Sequence, residues 1–502
     1  MLKKIRRTLA ILLFVGITLL FLDFTGTLHH WLGWMAKIQF VPALFALNFV
    51  VLAILVILTL IFGRIYCSVI CPLGVMQDLI SWVHSRRKKN RFTYSKEMKW
   101  LRYPLLVLFI VAIVLGIGSV FALMEPYSTF GQIATNLFQP IYQWCNNGLA
   151  AIAEHYNSYM FYSVDVWIKS ISALVLSISL FLIIAILAWY GGRTYCNTLC
   201  PVGTLLSLLS RFSLLKIHID DDKCIKCGTC TRNCKSSCID FKNGTVDYSR
   251  CVTCGNCIEK CNKDAIYYGR PRKTTATTEE PQHKDDVDKG KRAFLIGSGV
   301  VLATSAMAQA KKKVDGSLAA IEEKKMPERK NHITPPGSLS ARNMQKHCTA
   351  CQLCVAECPN QVLRPSNGLL TLMQPIMSYE RGYCRPECNR CSQVCPTGAI
   401  KPITHEEKSS IQIGHAVWTH YLCIPTTKKR RDGSPASCGN CARHCPTGAI
   451  TMIQMDENDE NSPMVPSINE AKCIGCGACE YVCPARPVSA IHVEGHEDHR
   501  MI

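Results

Sequence analysis

Twenty-four of the chain's 30 cysteines fall into six runs whose spacing leaves the backbone around them little freedom. Cys224-Cys227-Cys230-Cys234, Cys251-Cys254-Cys257-Cys261, Cys348-Cys351-Cys354-Cys358 and Cys473-Cys476-Cys479-Cys483 each read C-x2-C-x2-C-x3-C. Cys384-Cys388-Cys391-Cys395 widens the first gap by one residue, and Cys423-Cys438-Cys441-Cys445 opens it into a loop. A cubane cluster needs four thiolates converging on its corners. Two-residue gaps let one tight loop supply three of them, and the fourth cysteine of a run reaches a neighbouring cluster. Structural zinc instead uses two C-x2-C knuckles set apart, and disulfide frameworks belong to small secreted scaffolds. The runs therefore predict six [4Fe-4S] clusters in ferredoxin-like units, with these 24 cysteines as the ligands.

The 502 residues, with a net charge of +19, divide by composition. Residues 1–215 are dominated by apolar runs, and a two-cluster unit follows at 216–270. A polar linker at 271–290 leads to an apolar stretch at 291–310, read as a twin-arginine-type export signal or anchor or as a fifth span, and a second linker at 311–340 leads to a four-cluster unit at 341–493 and a tail at 494–502. Four segments read as long enough to cross a bilayer, which takes roughly 20 predominantly apolar residues: Thr8–Leu22, Ala43–Phe62, Leu101–Leu123 and Ile171–Tyr190. No small-residue cleavage site follows the first, which reads as an uncleaved anchor. The expected fold is thus an α-helical membrane bundle of four spans, with a fifth candidate at Ala293–Ala310, followed by two α+β bacterial-ferredoxin-like units.

Lys3, Lys4, Arg6 and Arg7, then Arg86-Arg87-Lys88-Lys89, then Arg193 and Arg211 flank the apolar segments on what the positive-inside rule makes the cytoplasmic side. The basic excess is a topology signal. Without a basic recognition element it does not point to nucleic acid.

The apolar part contains a repeat. Gly63-Arg64-Ile65-Tyr66-Cys67-Ser68-Val69-Ile70-Cys71-Pro72-Leu73-Gly74 recurs as Gly192-Arg193-Thr194-Tyr195-Cys196-Asn197-Thr198-Leu199-Cys200-Pro201-Val202-Gly203. Cysteines at i and i+4 share a helical face if the helix continues through them. Cys67, Cys71, Cys196 and Cys200 could then converge to bind a metal or a further cluster, to form redox-active dithiols, or simply to pack as small hydrophobes. Cys145 and Cys238 remain as bystanders.

On these motifs residues 1–270 resemble the NapH family of membrane quinol-dehydrogenase components, with two C-x3-C-P motifs and a two-cluster ferredoxin tail. Residues 291–493 resemble the NapG and MauM family of exported four-cluster ferredoxins, down to the long gap from Cys423 to Cys438. The chain departs from the pattern in appearing as a fusion, in having Lys291-Arg292 where an arginine pair is usual, and in Lys235 and Asn262 where proline follows the fourth cysteine. The resemblance implies ligand sets of Cys224, Cys227, Cys230 and Cys261, and of Cys251, Cys254, Cys257 and Cys234. For the second unit it implies that outer runs pair with outer and inner with inner, so that Cys483 joins Cys348, Cys351 and Cys354, Cys358 joins Cys473, Cys476 and Cys479, Cys445 joins Cys384, Cys388 and Cys391, and Cys395 joins Cys423, Cys438 and Cys441.

The expected role is an inner-membrane, multi-pass electron carrier that takes electrons from the membrane quinone pool and passes them through its clusters to a reductase or cytochrome. The first ferredoxin unit would be cytoplasmic and the second periplasmic. A maturation factor for a metalloenzyme, or a cytoplasmic-facing polyferredoxin docking to a soluble oxidoreductase, are the alternatives. His29, His30, Trp31 and Trp34 are candidates for a quinol site, although such residues more often form an interfacial belt, and Glu125 and Asp165 are candidate proton acceptors.

Overall fold

The computed structural model describes residues 2–87, 92–270, 322–429, 434–459 and 462–502. The apolar stretch at 291–310, with Lys291-Arg292, lies outside the described residues.

Among the described residues two helices, not four, are long and apolar enough to cross a membrane by length and composition: Lys3–Leu22 and Ile171–Gly191. The four-span bundle is therefore corrected, and the reason is local. Within Ala43–Phe62, a short helix Phe40–Phe45 stops, Leu47 turns into the left-handed region at φ 52°, and the Asn48 side chain caps a separate helix Phe49–Phe62 of 14 residues. At ~1.5 Å per residue that helix covers only about 21 Å of a roughly 30 Å hydrocarbon core. Within Leu101–Leu123, the helix Lys99–Leu115 ends on Gly116 at φ 69°, and a new helix Gly118–Met124 begins. Glycine at a helix C-terminus takes this left-handed turn without the Cβ penalty. An apolar run was legible in the sequence; its interruption was not.

The ferredoxin units sit at opposite ends of the helical body. At the start of Leu2–Leu22, Lys3 pairs with Glu259 of the first unit. At its far end Phe21 packs in one apolar cluster with Tyr127, Phe130, Leu353 and Val355, the last two from the second unit. The helix Ile171–Gly191 repeats this arrangement. Just beyond its C-terminus the Arg193 N–H donates to the Lys235 carbonyl (2.9 Å), and at its start Ser170 bonds Asn367 (3.4 Å).

The first unit is closed by antiparallel strands Lys216–Ile219 and Ile266–Gly269, with a second small pair, Ile239–Asp240 and Thr245–Val246, and has its own core around Ile217, Ile239 and Ile266. The second unit contains the pairs Leu363–Pro365 with Pro375–Met377, Ile411–Trp418 with Ile491–Met501, and Ile450–Gln454 with Met464–Ile468. Residues 494–502, a tail by composition, instead form most of an edge strand. The linker's end is also built in, since Arg329 pairs with the buried Glu480 at 2.6 Å. Asn136 reaches Gln352 (2.8 Å), Gln139 the Ala356 carbonyl (3.2 Å) and Lys169 the Val355 carbonyl (2.9 Å), so this unit is seated on the helical body by hydrogen bonds as well as apolar packing.

Candidate iron–sulfur sites

The four regular cysteine loops share one backbone solution. In each, the residue before the second cysteine and the residue after it are both left-handed: Lys226 and Gly228 (φ 53° and 70°), Thr253 and Gly255 (48° and 73°), Ala350 and Gln352 (57° and 62°), Gly475 and Gly477 (74° and 78°). For a residue with a Cβ this conformation costs roughly 1–2 kcal/mol, so its adoption by Lys226, Thr253, Ala350 and Gln352 needs a compensating gain. Such turns form concave nests of N–H groups suited to anions, iron–sulfur sites among them. The Ala350 N–H points at Cys348 Sγ (3.4 Å), and the N–H groups of Asn256, Leu353, Gly475 and Ala478 bond Cys254, Cys351, Cys473 and Cys476. Burial pushes these thiols up, Cys351 and Cys476 to about 12, while the N–H groups pull the other way. Thiols so placed are poor free acids but good ligands, because a metal coordinates the thiolate outright. Among the described residues no three His, Cys, Asp or Glu side chains converge closely enough to share one metal ion. A cubane does not require that, since each thiolate holds a different iron.

The neighbourhood of each fourth cysteine shows how the runs combine. In the first unit Cys234 lies close enough to act on Cys254 and Cys257, as the ferredoxin pairing implies. In the second unit the implied outer-with-outer scheme is corrected. Cys395 acts on Cys348, Cys351 and Cys354, and Cys358 lines one small cavity with Cys384, Cys388 and Cys391. Cys483 lines another with Cys423, Cys438 and Cys441, and Cys445 acts on Cys473 and Cys476. Adjacent runs therefore bring their last cysteines beside each other's loops, the first with the second and the third with the fourth. Spacing alone cannot distinguish these schemes, because both satisfy every thiolate.

The helical repeat is assembled differently. The helix does not continue through it: Cys67 sits in a wide π turn, Tyr66–Ile70, and Cys71 is the extended residue that caps the helix Pro72–Arg87. In the second copy Cys196 sits in the helix Thr194–Thr198 and Cys200 caps Pro201–Ser210, its sulfur accepting from the Gly203 N–H at 3.3 Å. Proline in the first turn leaves no stranded N–H there. A Cβ on Gly74 or Gly203 would collide with the carbonyl oxygen of Cys67 or Cys196, which accounts for the glycine closing each copy.

The arginines cross over. Arg64 donates to the Cys196 carbonyl (3.2 Å) and approaches Cys67 Sγ (3.8 Å), while Arg193 donates to the Cys67 carbonyl. Gln77 donates to Cys196 Sγ at 3.3 Å. Burial raises Cys71 and Cys200, each with the other repeat's thiols adding to the shift, so the thiols of the two copies lie within electrostatic reach of each other.

Of the remaining candidates, Trp31 and Trp34 are exposed and His29–Leu32 is a single helical turn. Glu125 is buried and caps the helix Pro126–Ile133 through the N–H groups of Tyr127 and Ser128, with burial pushing its carboxyl up to about 7. Asp165 pairs with Arg381 at 2.7 Å. Cys145 is exposed, whereas Cys238 is buried with its sulfur 3.5 Å from that of Cys234, a proximity that spacing did not signal.

The chain is similar to known iron–sulfur proteins. Residues 44–91 and 173–220, each holding one copy of the repeat, match a family described as a 4Fe-4S binding domain. Residues 247–362, 347–415 and 436–486 match families described as 4Fe-4S dicluster domains. The methylamine utilization ferredoxin-type protein MauM of Methylobacillus flagellatus is 26% identical over 156 residues, covering 30% of this chain and 63% of that protein. MauN of the same organism is 27% identical over 174 residues, 34% of this chain and 48% of MauN. The ferredoxin-type protein NapF of Escherichia coli K12 is 26% identical over 186 residues, 37% of this chain and 99% of NapF. The chain thus spans less than two thirds of the two methylamine-utilization relatives. It carries several regions that match 4Fe-4S ferredoxin domains and is similar to MauM- and NapF-type ferredoxins.

Proposed function

We propose that this chain is anchored in the inner membrane by its two long apolar helices and carries electrons from quinol, through [4Fe-4S] clusters on both sides of the bilayer, to a partner reductase. The observation that supports this most is that Leu2–Leu22 and Ile171–Gly191, each 21 residues, both run from the first ferredoxin unit to the second. At ~1.5 Å per residue each is about 31 Å long, the thickness of a hydrocarbon core. The basic residues Lys3, Arg6 and Arg7 lie at the first unit's end, which by the positive-inside rule favours a cytoplasmic first unit and a periplasmic second one. Six clusters, one for each cysteine run, would form the conducting series. Thiolate-held clusters have potentials tuned by local hydrogen bonding and exposure, and the N–H nests described above are groups of that kind.

Placement and donor are tested together. Protease added to intact spheroplasts should remove the region 341–502 and spare residues 224–261, and a short-chain quinol added anaerobically to membranes should bleach the cluster absorbance. Protection of both units would reject the opposite-face placement. Absence of bleaching by quinol, with dithionite still effective, would reject the donor.

A further inference from the structure

We infer that Cys67, Cys71, Cys196 and Cys200 together hold one additional iron–sulfur cluster, shared between the two repeat copies, and that Arg64 and Arg193 balance its negative charge. Each copy supplies two thiolates, and a cubane takes four, so neither copy can complete a site alone. The four thiols are buried together, and each pair has the same supports: one thiol whose carbonyl is held by the other copy's arginine, and one thiol capping a helix that begins with proline.

The charge at this site is the independent indication. Arg64, Arg102 and Arg193 are among the most fully buried large side chains of the molecule. Arg102 pairs with Glu97, Arg193 with Asp78, and nearby Arg250 with Asp247. Asp78 is shared further with Arg6 (3.7 Å) and Lys235 (3.6 Å). Arg64 has no carboxylate among the described residues, its Nε has no hydrogen-bond partner there, and its nearest candidate anion is Cys67 Sγ at 3.8 Å. A guanidinium buried without a counter-charge is strongly unfavourable. Neutral thiols would leave it so, whereas four metal-bound thiolates supply the missing negative charge.

The position gives the cluster a role, which rests on the electron-transfer reading although the site itself does not. Arg64 donates to the Ser249 carbonyl (3.0 Å) and Asn197 to the Ser236 carbonyl (3.3 Å), beside Cys251 and Cys234 of the first unit. On the opposite side the Tyr195 hydroxyl meets Thr129 of the helix Pro126–Ile133, and Gln132 of that helix reaches the Ala350 carbonyl beside Cys351 (3.2 Å). A single helix, about 10 Å across, separates the repeat thiols from the second unit's first cysteine loop. Cys251, Cys254, Cys257 and Cys234 would hold a cluster on one side of the repeat thiols and Cys348, Cys351 and Cys354 one on the other, and the shared group would supply a one-electron relay between them. No bond breaks and no proton moves.

The test uses the full chain purified anaerobically. Compared with wild type, Cys67→Ser/Cys196→Ser should lose iron and acid-labile sulfide equal to one four-iron cluster, with one Mössbauer component gone and the others retained. Unchanged iron and sulfide, or these cysteines recovered as disulfides after denaturation under alkylating conditions, would overturn the site. Should the double variant fail to fold, Arg64→Gln keeps all four thiols. Loss of a positive charge beside an anionic cluster should make the potential of one component more negative and leave the rest unmoved, and no movement in any component would overturn the assignment. Retained iron with no electron passage between the units in wild type would instead count against the electron-transfer reading, leaving the site in place.

Discussion

The ferredoxin loops and the helical repeat both gather four cysteines, yet they stabilise them by different means. A loop such as Cys473–Cys479 bends its own backbone through left-handed residues and surrounds the sulfurs with adjacent N–H groups. The repeat places its cysteines in a wide turn, a short helix and two helix caps, and draws the compensating charge from Arg64 and Arg193 across the other copy. A loop's first three thiols are therefore local and can be written in a dozen residues, and only the fourth comes from a neighbouring run. The repeat site exists only when two segments more than a hundred residues apart have folded together, so its integrity should depend on distant ion pairs in a way that the loops' integrity does not.

The largest effect expected from this contrast is at the exchanged cysteines. Cys395→Ser should remove the cluster held by Cys348, Cys351 and Cys354, and Cys483→Ser the one held by Cys423, Cys438 and Cys441, while the repeat thiols stay unchanged. Component-resolved Mössbauer spectra, with accessible-thiol mapping of the freed cysteines, would check it. Exposure of Cys348–Cys354 in the Cys483→Ser variant would restore the outer-with-outer pairing.

Asp78 provides the converse test. It receives two 2.9 Å bonds from Arg193, and although burial alone would raise its carboxyl, Arg193, Lys235 and Arg6 hold it well below the usual carboxylate range. Removing one partner of a buried pair costs about 3–5 kcal/mol, so Asp78→Asn should loosen the repeat and the first unit while the second unit keeps its iron. A carboxyl depressed in the folded state stabilises fully above its unfolded pKa of about 4 and loses that contribution as pH falls further. The difference in thermal unfolding between wild type and Asp78→Asn should therefore be flat from neutral pH down to about 4 and shrink below it. A difference that already shrinks between pH 7 and 5 would mean that Asp78 is not the anchor of this network.

The same contrast explains what could be read from the sequence. C-x2-C spacing specifies a loop, and its glycines at 228, 255, 475 and 477 already mark the left-handed turn, so the ferredoxin units were legible. The repeat's twelve-residue match was visible too, but the crossing of Arg64 and Arg193 was not, because nothing in a linear pattern says which copy an arginine will face. Hydropathy read Ala43–Phe62 and Leu101–Leu123 as spans because it averages over Leu47, Asn48 and Gly116, where single backbone choices end a helix. The fourth-cysteine exchange was hidden for the same reason as the arginine crossing: it is a tertiary choice between schemes of equal spacing.

The smallest effect expected separates a loop's conformational demand from its steric one. Gly477 and Gly448 are both left-handed, at φ 78° and 64°, but their surroundings differ. A Cβ at Gly448 has nothing within 4 Å, so Gly448→Ala should carry only the backbone penalty of roughly 1–2 kcal/mol. A Cβ at Gly477 would collide with the ring of Tyr379, which is fully buried and whose hydroxyl donates to the Gly475 carbonyl at 2.7 Å. That ring cannot retreat without breaking the bond to the very loop that holds Cys473 and Cys476, so Gly477→Ala should add an overpacking cost of about 1–3 kcal/mol. Denaturant titration of the anaerobic protein should thus rank Gly477→Ala below Gly448→Ala, with iron lost first from the Cys473–Cys479 loop. If Tyr379→Phe in the Gly477→Ala background restores nothing and the two alanine variants are equally stable, the loop's demand is for the left-handed turn alone, and the tyrosine is packing around it, not bracing it.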